Sequence, residues 1–294
     1  MRMPTADPSR IALARTWLLT AAADSAVIAA ADSCGADVVV LDLEDGVADR
    51  DKRAARHHTA RWLGDGHTAW VRINDATTSH WAEDLRMLAD TGGVGGVMLA
   101  KTEHAEQVEA TAERLPAGTA IVALIESALG LEEARPIARA AAIVRLAFGS
   151  GDFRRNTGAG ADPVSLAYAR SRLVVASRAE RIAPPIDGPT HADSDMDLLA
   201  GTAVGVAAGM TGKLCLRPDH IASINTALSP TAHDIDWAET VIARLGVDGA
   251  HVTDGSDRPK LARALRIRQL VTAFAPRWRL TVSPPRGPNR HSPA

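Results

Sequence analysis

The chain alternates short apolar runs with longer segments in which apolar residues recur at helical spacing. The apolar runs cover residues 16–20, 37–43, 69–73, 96–100, 120–125, 143–148, 185–186 and 213–216. Most lack polar alternation, which is typical of strands buried on both faces of a parallel sheet. The helical segments between them include residues 49–63, 79–89, 103–115, 129–140 and 163–181. This order predicts an α/β fold, a (β/α)₈ TIM barrel with extra C-terminal helices.

An open, doubly wound parallel sheet is the alternative fold. It commonly carries a glycine-rich nucleotide loop, but no GxGxxG follows the first strand and no GxxxxGK[ST] occurs in the chain. Aromatic residues make up only 3% of the chain, while apolar residues make up 46%. Small and branched side chains are therefore expected to fill the core, as in the inner layers of a barrel.

The alternation of apolar strands and helical segments ends after about residue 228. Residues 10–228 are predicted to form the barrel. Residues 231–245 and 257–274 read as two further helices separated by a glycine-rich turn segment. We therefore assign residues 229–275 to a C-terminal helical appendage that packs on the barrel or on a neighbouring subunit. Residues 276–294, rich in proline, arginine and serine, are predicted to be a disordered tail.

Composition excludes some classes of partner. The 33 basic and 35 acidic residues give a formal charge of −2, unlike the strongly basic balance of nucleic-acid-binding proteins. No apolar run approaches the roughly 20 residues of a membrane span, and no signal-peptide pattern is seen. Cys34 and Cys215 stand apart without metal or redox spacing, so two reduced thiols and a cytoplasmic location are expected.

Polar residues follow the ends of the predicted strands. They are Asp42, Glu44 and Asp45 after strand two, Arg72 and Asn74 at strand three, Lys101 and Glu103 after strand four, Glu126 after strand five, and Asp152, in the segment Gly149-Ser-Gly-Asp152, after strand six. The active sites of α/β barrels lie at this end of the strands. Charges at the ends of apolar strands are costly unless they pair or bind something, so the pattern predicts a site.

Three groups of these residues suggest roles in binding a metal ion or a substrate. Glu126 and Asp152 suit Mg²⁺, which takes oxygen ligands, although each could instead form a structural salt bridge. Arg72 could hold a substrate carboxylate, pair with the acidic residues after strand two, or do both. Alternation places Asp42 and Glu44 on one face, where they orient Arg72 or a metal-bound water, unless they form a solvated strand end.

These motifs together resemble the citrate lyase beta-subunit family within the HpcH/HpaI aldolase/citrate lyase superfamily. The resemblance runs from about residue 15 to about residue 270. It rests on GADVVVLDLEDGV at 35–47, VRIN at 71–74, ALIES at 123–127, FGSGDF at 148–153, RLVVASR at 172–178 and PIDG at 185–188. The Asp-Leu-Glu-Asp and Phe-Gly-x-x-Asp-Phe elements, in this order, are its most specific parts.

The resemblance implies a Mg²⁺-dependent carbon–carbon lyase, with Mn²⁺ as a substitute metal. The implied reaction converts a β-hydroxy acyl thioester of the citryl, malyl or citramalyl type into a keto acid and an acyl thioester, or the reverse. The implied metal ligands are Glu126 and Asp152; the implied substrate-binding residues are Arg72, Gly149 and Asp152; and the implied catalytic residues are Arg72, Asp42, Glu44, Asp45 and Asp257. Members commonly form homotrimers in which a C-terminal aspartate, here matched by Asp257, closes a neighbour's site.

Two departures from the family concern coenzyme A. The family's Val-Pro-Gly turn and its following basic residues are replaced by Thr20-Ala-Ala-Ala-Asp24, and residues 16–49 contain no Lys or Arg. Arg217 stands where the family has a histidine. Two alternatives therefore stay open beside the thioester lyase. One is a metal-dependent aldolase that releases pyruvate or oxaloacetate from a free hydroxy-keto acid, and the other is a non-catalytic subunit that binds a keto acid.

Overall fold

Eight parallel strands close into a barrel in a computed structural model that describes residues 8–278. The strands are β1 (Thr16–Ala21), β2 (Val38–Asp42), β3 (Ala69–Ile73), β4 (Val94–Leu99), β5 (Ile121–Ile125), β6 (Ile143–Phe148), β7 (Ile186–Asp187) and β8 (Gly212–Cys215). Each pairs with its sequence neighbours, and β8 returns to pair with β1. The predicted (β/α)₈ barrel is confirmed, with each predicted run at its strand.

Helices connect the strands and continue beyond the last of them. They are α1 (Pro8–Ile11), α2 (Ser25–Ser33), α3 (Lys52–Gly64), α4 (Ser79–Ala89), α5 (Ala105–Ala112), α6 (Ala128–Glu132), α7 (Ala134–Arg139), α8 (Ser150–Thr157), α9 (Ala167–Ala179), α10 (Asp195–Ala208), α11 (Ile221–Ala227), α12 (Ala232–Leu245) and α13 (Asp257–Trp278). Several begin at a capping side chain. Asp24 accepts from the amide of Ala26, and Ser194 accepts from that of Asp197.

The interior of the barrel is filled by side chains from every strand, which form one apolar cluster. Its largest members, Trp17 and Trp70, are fully buried and meet edge to face with ring centroids 5.1 Å apart. We expected small and branched side chains here because aromatics are rare. Two of the few aromatic residues nevertheless occupy the centre, since a large ring fills the space that Gly96 leaves open. A Cβ atom on Gly96 would lie 2.5 Å from the Trp70 ring.

We expect Gly96→Ala to lower the free energy of unfolding by about 3 kcal/mol, because it combines overpacking with backbone strain at φ +155°. The buried Trp70 ring cannot move aside without displacing the rest of the cluster. Urea denaturation followed by tryptophan fluorescence measures the change. Gly92→Ala is the matched control, since its added Cβ would meet nothing within 4 Å. Equal stability of the two variants would contradict this account of the barrel centre.

The N-terminal end of the barrel is closed by Arg145. This fully buried guanidinium donates to the carbonyl oxygens of Ala14 at 2.8 Å and Pro184 at 2.8 Å. It also donates to the hydroxyl of Thr211 at 3.1 Å. These partners precede β1, β7 and β8, so one side chain ties three strand starts together. Substrate access is thereby left to the opposite end, where the strands finish.

Alternation along the strands aims the strand-end residues into the mouth of the barrel. On β2, Val38 and Val40 belong to the interior cluster, while Leu41 and Leu43 belong to the layer under the helices. Asp42 and Glu44 therefore continue the inward-facing series. On β5, the inward position of Leu124 in the same way directs Glu126 into the mouth.

The described chain divides into two structural units at the boundary between Leu228 and Ser229. In the second unit, α12 and α13 pack against each other through an apolar cluster that includes Val241, Leu245 and Ala264. Helix α13 ends at Trp278, three residues into the predicted tail, and the rest of that tail lies outside the described residues. None of the helices that the structure describes is both long enough and apolar enough to cross a membrane.

Candidate active site

Arg72 and Asp42 form a two-pronged ion pair at the mouth of the barrel. They face each other in the register of β3 and β2. The Nε and Nη2 atoms of Arg72 donate to the two Asp42 carboxylate oxygens at 2.7 and 2.6 Å. Asp42 also accepts from the amides of Glu44 and Gly46. Because Asp42 is buried and fully engaged, it is placed to hold the arginine in one orientation rather than to react.

Glu44 lies between two cations. Lys101 Nζ donates to its Oε1 atom, and Arg72 Nη1 lies 3.2 Å from its Oε2 atom, an ion pair without hydrogen-bond geometry. Burial raises the pKa of Glu44, although Arg72 and Lys101 oppose the shift. Asp45 is half exposed and lies 3.2 Å from Lys101 Nζ. The acidic residues after β2 are therefore all paired with cations, Asp42 and Glu44 in buried positions and Asp45 at the surface.

The segment that carries these carboxylates is fixed from behind. The buried ammonium of Lys52 donates to the carbonyl oxygens of Leu43 at 2.9 Å and Glu44 at 3.0 Å. Asn74 Nδ2 donates to the same Leu43 oxygen at 2.9 Å and to Asp84 at 2.6 Å. Asn74, one of the strand-end residues noted in the sequence, thus supports the site without facing it.

Lys101 joins the two halves of the mouth, and no role was assigned to it from the sequence. Its backbone has φ +48°, the left-handed region that non-glycine residues seldom occupy. In this conformation its amide donates to Glu126 Oε1 at 2.7 Å while its side chain reaches Glu44 and Asp45. The only sequence signal was a charged residue directly after a buried strand.

Glu126 is buried at the end of β5 with only 4% of its surface exposed. Burial raises the pKa of its carboxyl to about 8, because the charge of Arg72 offsets only part of the cost, and the charges of Glu44 and Asp152 add to it. Gly149 leaves room for this side chain, since a Cβ there would lie 2.3 Å from Glu126 Oε2. Gly149 was predicted to contact substrate, and its place in the structure is against Glu126.

Asp152 lies in the first turn of α8, three residues after Gly149. Its Oδ1 atom is 3.1 Å from Arg155 Nη2, and about a fifth of its side chain is exposed. Its charge acts on Glu126, so the two predicted metal ligands share one electrostatic environment. The structure therefore brings together Arg72, Glu126, Asp152 and the acidic residues after β2.

The donor set at the mouth fits Mg²⁺ better than a transition metal. Among the described residues, no group of three or more His, Cys, Asp or Glu side chains is arranged to hold a metal. Zinc sites ordinarily need three or four such ligands, whereas Mg²⁺ is often bound by one or two carboxylates, with water and substrate completing the shell. Glu126 and Asp152 supply two carboxylates. A cation there would also compensate the negative charge that burial makes costly at Glu126.

Asp257 lies in the second structural unit, at the start of α13. Its buried carboxylate accepts from Arg244 Nη2 at 2.8 Å and from the amide of Thr253 at 3.3 Å. The hydrogen bond from Arg244 holds the pKa of Asp257 below its usual range. In this conformation Asp257 is an ionised residue that joins α12 to α13, and its role as an acid stays a prediction.

Most of the chain matches the models of one known protein family. Residues 15–218 match the model of the HpcH/HpaI aldolase/citrate lyase family, and residues 233–275 match that of the HpcH/HpaI aldolase C-terminal domain. The chain belongs to the HpcH/HpaI aldolase/citrate lyase family. The resemblance read from the strand-end motifs is thus confirmed, and the protein is a carbon–carbon lyase.

Relatives within the HpcH/HpaI family carry two kinds of name. A citrate lyase subunit beta-like protein from Mycobacterium tuberculosis is 35% identical over 247 residues, which cover 79% of this chain and 86% of the relative. The mitochondrial citramalyl-CoA lyase of Homo sapiens is 30% identical over 277 residues, which cover 82% of this chain and 81% of the relative.

Solved structures of similar fold include two from Mycobacterium tuberculosis. CitE in complex with magnesium, acetoacetate and coenzyme A has a TM-score of 0.72 at 29% identity, covering 89% of this chain and 99% of that one. A citrate lyase beta subunit with oxaloacetate and magnesium has a TM-score of 0.66 at 31% identity, covering 76% of this chain and 100% of that one.

Proposed function

We propose that this protein is a Mg²⁺-dependent lyase that cleaves or forms a β-hydroxy acyl thioester of the citryl, malyl or citramalyl type. The products of cleavage would be a keto acid and an acyl thioester. The observation that carries the proposal is the placement of Arg72, held by Asp42, in the same mouth as the carboxylates of Glu126 and Asp152. Relatives with structures containing magnesium, acetoacetate or oxaloacetate support the same reading.

Arg72 would bind the carboxylate of the keto-acid portion. Its Nε and Nη2 atoms are held by Asp42, so the Nη1 side remains to face the mouth, next to Glu44. Because the guanidinium is already fixed, substrate binding does not carry the entropic cost of ordering it. The positive charge then stabilises the oxygen that gains electron density as the carbon–carbon bond breaks.

Cleavage requires two proton movements. The hydroxyl of the substrate loses its proton as its oxygen becomes the keto oxygen, and the electrons of the broken bond pass to the thioester fragment as an enolate. The enolate carbon must then take a proton. Bound Mg²⁺ would supply positive charge at the keto-acid oxygens. Glu126 and Asp152 would hold that ion, and the Lys101 amide would keep the Glu126 carboxylate turned towards it.

The acyl carrier distinguishes two candidate substrates. A coenzyme A thioester is supported by the human citramalyl-CoA lyase and by the CitE structure that contains coenzyme A. The absence of Lys and Arg from residues 16–49 favours a second candidate, a metal-dependent aldolase that acts on a free hydroxy-keto acid. Membership in a lyase family weighs against the non-catalytic subunit.

Three further assignments belong to the proposal. Asp257, delivered by a C-terminal segment, would take up a proton after release from Arg244 and pass that proton to the enolate carbon. The protein would assemble as a homotrimer, as members of the family commonly do. It would reside in the cytoplasm, which is consistent with the two unpaired cysteines, Cys34 and Cys215.

Calorimetric titration of oxaloacetate, pyruvate and acetyl-CoA, each with and without Mg²⁺, tests the function. The thioester lyase requires Mg²⁺-dependent binding of a keto acid together with binding of acetyl-CoA. Binding of a keto acid without any binding of acetyl-CoA or coenzyme A at millimolar concentration would favour the free-acid aldolase. If no keto acid binds, the site built from Arg72, Glu126 and Asp152 is wrong.

We expect Mg²⁺ binding to tighten by nearly tenfold per pH unit between about pH 6 and pH 8 and to level off above that. The reason is that Glu126, whose pKa is raised to about 8, must lose its proton to bind a metal. Titrations in two buffers of different ionisation enthalpy should show release of close to one proton at pH 7. An affinity that is constant from pH 6 to pH 8 would contradict the assignment.

The raised pKa of Glu126 also determines how the free energy of unfolding changes with pH. The pKa of Glu126 rises from 4.5 to about 8 on folding. Its contribution to the stability of the metal-free protein is therefore fully present below pH 4.5 and is lost as the pH rises through about 8. Saturating Mg²⁺ should reverse this loss. Thermal melts with and without the ion at pH 6 and pH 9 measure the difference.

A further inference from the structure

Three buried charged residues, Arg170, Asp187 and Lys213, meet on the outer side of the barrel wall. Asp187 and Lys213 are register partners on β7 and β8, and each is 2% exposed. The Asp187 carboxylate accepts from Arg170 Nε at 2.8 Å and from Lys213 Nζ at 3.2 Å. The chain neighbours Ile186 and Leu214 belong to the interior cluster, so Asp187 and Lys213 point outward, towards the helices that cover the barrel.

The ionic cluster of Arg170, Asp187 and Lys213 is a poor source of stability by itself. Two cations share one carboxylate, and taking charges out of water carries a large desolvation cost. Burial lowers the pKa of Lys213, although the charge of Asp187 opposes the shift. Well-packed apolar side chains often stabilise a buried site as well as an ion pair does. What charged groups add is directed contacts, because each donor requires its acceptor at a defined position.

Strand β7, which carries Asp187, has few backbone contacts to hold it. It has only two residues and is the shortest strand of the barrel. Its pairing with β6 consists of one register pair, Ala147 with Ile186. Lys213 Nζ supplies an additional anchor, because it donates to the carbonyl oxygen of Gly188, directly after β7, at 2.9 Å. The C-terminal end of β7 is therefore held largely by side chains.

Gly188 packs against the helix that carries Asp152. A Cβ on Gly188 would lie 2.3 Å from Ser150 Oγ and 2.8 Å from Ser150 Cβ, so the glycine backbone directly contacts the first residue of α8. Asp152 lies two residues later, in the same helical turn. The preceding Gly149 packs against Glu126. A shift at the end of β7 would therefore change the position of Asp152 relative to Glu126.

We propose that Lys213 is a positioning residue for the metal site. By holding Asp187 and the Gly188 carbonyl oxygen, it fixes the end of β7, and through it the first turn of α8. The inference rests on the proposed function, in which Glu126 and Asp152 hold Mg²⁺. Lys213 points away from the barrel interior and acts only through other residues. Removing residues that orient metal ligands without touching the metal typically weakens metal binding about 10- to 100-fold.

Lys213→Met tests this link. Methionine keeps an unbranched apolar side chain but removes the donor to Asp187 and Gly188. We expect the dissociation constant for Mg²⁺, measured by calorimetric titration, to rise about tenfold or more. Arg145→Met is the matched control, because Arg145 is equally buried but donates to carbonyl oxygens at the N-terminal end of the barrel. Its affinity for Mg²⁺ should stay within about twofold of the parent.

Thermal melts of both methionine variants verify folding. Unchanged Mg²⁺ affinity in folded Lys213→Met, or an equal loss in folded Arg145→Met, would overturn the inference.

Gly188→Ala tests the next contact and keeps all three charges of the cluster. Its Cβ must displace Ser150, so we expect Mg²⁺ binding to weaken in the same direction as in Lys213→Met. Gly96→Ala is the matched control, since its Cβ is similarly crowded but meets Trp70 in the barrel interior. Equal Mg²⁺ affinities of the two alanine variants would show that Gly188 does not transmit a shift to α8, and the inference would fail.

Hydrogen exchange separates this inference from the proposed function, because it needs no metal. The amides of α8 should exchange about tenfold faster in Lys213→Met than in the parent, with a smaller change in α4. If the parent binds no Mg²⁺, the proposed function is wrong, and the exchange of α8 alone decides whether Lys213 positions this helix. If α8 exchanges at the parent rate, or if α4 changes as much as α8, Lys213 has only a general structural role.

Discussion

Glu126→Gln should lower kcat/KM about 10³-fold or more and abolish Mg²⁺ binding in calorimetric titrations. A bound metal ion contributes several kcal/mol to stabilising developing charge, and each 1.4 kcal/mol corresponds to a factor of ten in rate. Glutamine keeps an oxygen that can accept from the Lys101 amide, so the strand end should keep its shape. The change removes only the negative charge that a metal ligand needs.

The same variant should leave folding intact or improve it. Replacing a buried carboxylate by a neutral amide removes a desolvation cost, so the melting temperature of the metal-free variant at pH 8 should not fall. Glu103→Gln is the matched control, because Glu103 also follows a strand but accepts from Ser127 Oγ at 2.5 Å. Its activity should stay within about threefold of the parent. Retention of a tenth of the activity by Glu126→Gln would exclude this residue as a metal ligand.

Arg72→Lys should lower kcat/KM by about two to three orders of magnitude, with much of the loss in the KM for the keto acid. A single ammonium cannot both occupy Asp42 and present a planar pair of donors to a substrate carboxylate. The positive charge is kept, so Asp42 and Glu44 retain a counter-ion and the loss of stability should be modest. Steady-state kinetics and denaturant unfolding separate the two effects.

Arg72→Met provides the contrast. It removes the counter-ion of two buried carboxylates and should cost about 3–5 kcal/mol of stability in addition to the activity. If the lysine variant keeps the parent KM for the keto acid, Arg72 is only a structural partner of Asp42. In that case the substrate carboxylate is bound elsewhere.

Much of the fold was predictable because its signals are local. Runs such as Val-Val-Val-Leu before Asp42 and Val-Ala-Leu-Ile before Glu126 are too apolar for any place except a buried strand. Their period also decides which side chains face inward, so Asp42, Glu44, Arg72 and Glu126 could be assigned to one mouth from the sequence. The family motifs, through resemblance, added the chemistry expected at that mouth.

The pairing of charges was not predictable, because it depends on barrel closure rather than on spacing. Arg72 had three acidic residues as candidate partners, and only the register of β2 and β3 selects Asp42 for the two-pronged contact. Lys101 reaches Glu44 across 57 positions of sequence. Its left-handed backbone, which aims the amide at Glu126, has no sequence signature in a lysine.

The sequence by itself therefore determined the eight strands, their buried faces and the set of polar residues at their ends. Only the tertiary structure decided which of those residues hold one another and which remain directed at the mouth. The physical reason is that the two kinds of information act over different distances along the chain. Periodicity is a property of neighbouring residues, whereas ion pairs such as Arg72 with Asp42 arise from atoms brought within 3 Å by strands distant in the chain.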